Sequence, residues 1–98
     1  MTMEQAPEYV YAIRKLGKEY ASDIKLYVGF EAEYIPEFFK EQKAMFDRLG
    51  CDYMIMGQHF MKSEQTGPYT GTPTDDESRI REYVDTVIEG MKTGMYSY

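Results

Sequence analysis

Ile24-Lys25-Leu26-Tyr27-Val28-Gly29-Phe30-Glu31-Ala32-Glu33-Tyr34 is the stretch that decides the fold. It alternates: Ile24, Leu26, Val28 and Phe30 fall on one face, and Lys25, Tyr27, Gly29 and Glu31 on the other, because side chains along a strand point to opposite sides in turn. This predicts a strand over 24–31 that ends in two carboxylates, Glu31 and Glu33. Both faces carry bulk, which is the pattern of a strand covered on both sides in a parallel sheet. A second strand is expected over 52–57, in Tyr53-Met54-Ile55-Met56-Gly57-Gln58-His59-Phe60, with Met54 and Met56 on one face and Tyr53, Ile55 and Gly57 on the other. It ends at His59, the single histidine of the chain. Strands that deliver Glu or His at their C-terminal ends are how α/β barrels build metal and catalytic sites.

Helical patterns separate these strands. Over 6–20, Tyr9, Ile13, Leu16 and Tyr20 trace one face at helical spacing. Pro36 suits a first helical turn, since it has no amide hydrogen to leave unpaired. Phe38, Gln42, Met45 and Leu49 then line a face with Phe39 and Phe46 beside it, and Gly50 can take the left-handed conformation that closes a helix. A long loop over 61–74 leads to Thr74-Asp75-Asp76-Glu77, which reads as a capping box with Thr74 and Glu77 as its partners. Ile80, Val84, Val87, Ile88 and Met91 give an amphipathic helix ended by Gly94, and Met95-Tyr96-Ser97-Tyr98 begins a third strand. The expectation is an α/β chain of three helices and about three parallel strands in one partial domain over 1–98. Three helices cannot cover both faces of such a sheet, and its edges stay open, so the chain is expected either to be a section of a larger barrel or to associate with further copies of itself.

Composition narrows the function. The 98 residues are 43% hydrophobic and 29% charged, as in globular domains. A net charge of −6 argues against nucleic acid, whose phosphates call for clustered Lys and Arg. The one cysteine, Cys51, excludes an internal disulfide, fits a reducing cytoplasmic setting, and reads as core. No signal-peptide pattern and no membrane-length apolar run is present.

The two strand motifs, in their order and separation, resemble the middle of a PHP-family (polymerase and histidinol phosphatase) histidinol-phosphatase. The similarity extends from the first helix to Gly94-Met95-Tyr96-Ser97-Tyr98. The resemblance implies a partial TIM-like (β/α) barrel, distorted and seven-stranded in the full family, with divalent metals (zinc, manganese or iron) at the C-terminal ends of the strands. It implies hydrolysis of a small phosphorylated substrate, L-histidinol phosphate. It makes Glu31 the carboxylate of a Gly-x-Glu metal motif and His59 the metal-binding histidine of the next. The family's His-x-His, Ala-His-Pro and Asp-x-His motifs have no counterpart here. The expectation is therefore a truncated section with an incomplete metal site, inactive alone.

Parity supports the pairing. Glu31 lies on the face opposite the one helices would cover, and His59 shares parity with Ile55 and Gly57. Paired strands lie ~4.8 Å apart, so a single ion bonded at ~2.0–2.2 Å can bridge both groups. Such mixed carboxylate and imidazole donors suit zinc, iron or manganese better than calcium. Glu33 is expected to orient a ligand or a substrate ammonium, or to be merely solvated. Lys62 reads as a phosphate contact or a plain surface lysine, and Tyr69, on the loop, as a substrate contact. The reading set against all of this is a non-catalytic α/β module that self-associates as a homo-oligomer across its strand edges.

Overall fold

Residues 29–32 and 53–56 form a parallel two-stranded ladder in which Gly29, Phe30, Glu31 and Ala32 face Tyr53, Met54, Ile55 and Met56 in turn. A computed structural model describes residues 1–61 and 67–98. The element order is α1 (Ala6–Glu19), β1 (Gly29–Ala32), α2 (Phe39–Leu49), β2 (Tyr53–Met56) and α3 (Glu77–Lys92). The chain is thus a small α/β protein with three helices and two parallel strands among the described residues. No described helix is long and apolar enough to cross a membrane.

β1 is shorter than the alternation predicts. With Gly29 opposite Tyr53, residues 24–27 would need partners at 48–51, which are the end of α2 and the left-handed turn at Gly50 that follows it, not extended chain. The ladder therefore starts at Asp52. Its N–H donates to Val28 O at 2.7 Å, and its carboxylate accepts from Val28 N–H at 2.7 Å. Arg14 of α1 donates to the same carboxylate and to Gly50 O, each at 2.8 Å, tying helix to strand. These bonds, the Arg14 guanidinium first and the Val28 amide second, hold Asp52 below the usual carboxylate range. Ile24 and Tyr27, which lie upstream of the ladder, are exposed.

The third strand is also a correction. Ser97 N–H donates to Met54 O and Met56 N–H donates to Tyr98 O, both at 2.8 Å. In a regular parallel ladder one residue would make both bonds. Here two adjacent residues share them, so 95–98 lies beside β2 without forming a strand.

The contacts place the helices on one side of the sheet. The Phe30 ring lies 5.1 Å from that of Tyr9 on α1 and 5.4 Å from that of Phe46 on α2. On α3, Gly90 lies against Met56 and Tyr34, and Glu89 accepts a 2.9 Å bond from the Tyr34 hydroxyl. The buried cluster of Ala6, Ala32, Tyr34, Met45, Phe46, Met54 and Tyr96 lies between the layers, and Cys51 packs on it half-buried, its thiol pushed up chiefly by burial. Val28 is fully enclosed.

Three local readings change. α1 turns Ala6 and Val10 inward, while Leu16 and Tyr20 at its far end are exposed. Pro36 sits in a turn before α2, not in its first helical turn. The cap of α3 is Asp76, which accepts from Ser78 N–H at 2.9 Å, and Thr74 accepts from Asp76 N–H instead of capping with Glu77. Gly50 does adopt the left-handed conformation, with φ of 65°, at the end of α2.

The apolar stripe of α3 is largely exposed. Ile80, Val84, Ile88 and Met91 are 38–49% exposed, and the helix docks by its last turn, at Gly90. The radius of gyration, 16.0 Å, exceeds the ~13 Å of a compact domain of about 100 residues.

Candidate functional site

Beyond the last ladder pair, Ala32 with Met56, both strands continue to the same end of the sheet, and the acid and the imidazole meet there. Glu31 lies on the sheet face away from the helices, in register with Ile55. Its side chain extends across Gly57, where any Cβ would overlap Glu31 Oε1. The glycine is therefore what leaves room for the carboxylate. His59 Nε2 is 3.0 Å from Glu31 Oε1, with the two side chains 60% and 55% exposed. With its proton on Nε2, the ring donates to the carboxylate.

This spacing suits a shared cation. Two adjacent ligands bonded to one ion at ~2.0–2.2 Å lie ~2.8–3.1 Å apart in octahedral and ~3.3–3.6 Å apart in tetrahedral coordination, and the pair, at 3.0 Å, has the octahedral spacing. The donor types, one carboxylate and one imidazole, fit zinc, manganese or iron. An open cleft of about 250 Å³, lined by Glu31, Glu33, Gly57, His59 and Phe60, leaves space for an ion with its water. Among the described residues no group of three or more His, Cys, Asp or Glu side chains that could hold a metal ion converges.

Glu33 lies beside the pair and reaches the backbone that carries His59. Its Oε1 accepts from His59 N–H at 2.8 Å and from Phe60 N–H at 3.2 Å. The carboxylate holds the backbone that carries the imidazole. Lys62 lies outside the described residues. Tyr69 is more than half exposed. Its ring packs 5.6 Å from that of Phe60 and lines a separate cavity of about 110 Å³ against Arg79 and Tyr83 of α3, not the Glu31 cleft.

Gln58 escaped the sequence reading. It is the buried polar residue of the site, 6% exposed, and its amide bonds to Tyr34 N–H, Tyr34 O and Phe60 O. One signal was present: its parity between Gly57 and His59 turns it to the helix side, where an uncharged amide must find partners.

Compared with protein-family models, with curated proteins and with solved structures, the chain matches none of them.

Proposed function

We propose that this chain is a section of a metal-dependent phosphoesterase barrel of the PHP type, resembling histidinol-phosphatase, in which Glu31 and His59 are two ligands of a divalent metal. The observation that carries the reading is their 3.0 Å approach at one end of adjacent parallel strands, on the sheet face away from the helices. A helix layer on one side, with no described helix on the other, is what a few staves of a (β/α) barrel present. The resemblance of the two strand motifs supplies the reaction, hydrolysis of a small phosphate ester such as L-histidinol phosphate. Bound zinc, manganese or iron would supply an acidified water and neutralise charge on the phosphoryl oxygens. Within this chain Glu31 and His59 hold the ion, Gly57 leaves room for the carboxylate, and Glu33 fixes the backbone at His59. Two ligands do not complete such a centre, so the chain on its own is inactive. The single free cysteine fits a cytoplasmic setting.

Calorimetric zinc titration of the full chain tests the pair: binding in the wild type should vanish in Glu31→Ala and His59→Ala. Phosphate release from L-histidinol phosphate with added manganese or zinc should stay at background. Robust turnover by a monomer would overturn the reading of an incomplete site.

The exposed stripe of α3 supports a second reading, a homo-oligomer that buries it. Light scattering on the eluting peak separates the two: a dimer or larger assembly favours self-association, and a stable monomer that unfolds cooperatively counts against it.

A further inference from the structure

Gln58 directs its whole side chain at backbone. Tyr34 N–H donates to its Oε1 at 2.9 Å, and its Nε2 donates to Tyr34 O at 3.1 Å and to Phe60 O at 2.8 Å. The first two bonds close a ring between the two strands just past the point where the ladder stops. The third reaches across His59 to the residue after it. From the other side Glu33 Oε1 takes the amides of His59 and Phe60. Thr70 completes the enclosure: its hydroxyl donates to Gln58 O at 2.9 Å and its N–H donates to His59 O at 2.7 Å. The backbone from 58 to 60 is thus held at two of its three amides and at all three carbonyls, while the His59 ring itself stands in the open cleft. A residue whose only task was to fill space here would be apolar. An amide this buried is retained where its bonds fix a geometry.

We propose that Gln58 and Glu33 are the positioning residues of the Glu31–His59 pair, Gln58 by locking the two strand ends together and Glu33 by clamping the amides on either side of the imidazole. This deepens, and rests on, the reading of that pair as divalent-metal ligands. Partners that orient a metal-binding histidine commonly carry 10–100-fold of its affinity. Glu33 Oε1 is committed to two amides, so through that oxygen it acts on the backbone that carries His59.

The test uses the full chain and three variants: Gln58→Met, which keeps length and loses every bond, Glu33→Ala, and Glu33→Gln, whose carbonyl can accept the same two amides. Zinc affinity is measured by competition with a chelating dye. Amide exchange at His59 and Phe60, and the NOE between the His59 ring and the Glu31 side chain, are measured by NMR without metal. Gln58→Met and Glu33→Ala should lose the NOE, speed both amides, and weaken zinc by about 10–100-fold, while Glu33→Gln stays near wild type. Unchanged exchange and NOE in Gln58→Met and Glu33→Ala would overturn the proposal. So would equal loss of zinc in Glu33→Gln and Glu33→Ala with the NOE intact, which would make Glu33 a ligand. If Gln58→Met does not fold, the two Glu33 variants decide. If the wild type binds no zinc, the metal reading fails, and exchange and NOE still decide the positioning roles.

Discussion

Gly57→Ala should separate the site from the fold. Gly57 does not have positive φ, so alanine fits its backbone without strain. Replacing glycine at a compatible position stabilises by about 0.4–1 kcal/mol through the unfolded chain. Against this, the new methyl collides with the Oε1, Cδ and Cγ of Glu31. Those atoms end a flexible side chain that is half in solvent, and it can swing away. The exposed Glu31–His59 contact it gives up is worth about 0–1 kcal/mol. The two effects nearly cancel, and urea unfolding should give a stability within about 1 kcal/mol of wild type. Zinc is another matter: one of two ligands is displaced, so affinity should fall by at least about tenfold, or 1.4 kcal/mol. Calorimetric titration beside the unfolding curve reads both. Unchanged zinc binding at unchanged stability would refute the assignment of Glu31. A stability loss above about 2 kcal/mol would show that the displaced atoms are not free to move.

Val28→Ala should cost about 1.5–3 kcal/mol in chemical unfolding, because the side chain is wholly enclosed. The two core tyrosines should respond in opposite senses. Tyr96 is buried, its hydroxyl has no partner among the described residues, and burial above all pushes it up to about 12, so Tyr96→Phe should raise the melting temperature. Tyr34→Phe removes the bond to Glu89 and should cost about 0.5–1.5 kcal/mol. Asp52 and Asp76 are both held below the ordinary value of 3.8, Asp52 by Arg14 first and Asp76 by the Ser78 hydroxyl first. A carboxyl depressed in the folded state contributes stability that is present above its unfolded pKa and lost as pH falls through the folded one. Unfolding followed from pH 5 downward should steepen below about pH 4, and Asp52→Asn should flatten part of that slope.

How far the sequence could be read differs from element to element. The end of α2 was legible because Gly50 is a local signal: a left-handed turn needs no distant partner. The shared face of Glu31, Ile55 and Gly57 was legible because parity along a strand is covalent geometry. The length of β1 was not, since alternation over 24–28 reports what a strand would accept and is silent on whether a neighbour is there to pair with it. The capping box failed through competition: Asp76 lies nearer the first free amides than Thr74 and took them. The partners of Glu33 and Gln58 were hidden for a third reason. Parity gave the face of each, but both bond to backbone across the sheet, and a backbone amide has the same identity at every position, so the pattern does not say which amides they take. The same holds for α3, whose periodicity fixes an apolar stripe but not what lies against it.

That stripe has a cost outside the test tube. A row of Ile80, Val84 and Ile88, each 45–49% exposed on one helix, is the kind of surface that holdase chaperones bind and that marks a chain for proteolysis. With the stripe uncovered, the polypeptide is expected to turn over faster than with it covered. Its lifetime in vivo, followed by pulse-chase, thus reports whether α3 has found its cover, with no need to know in advance what that cover is.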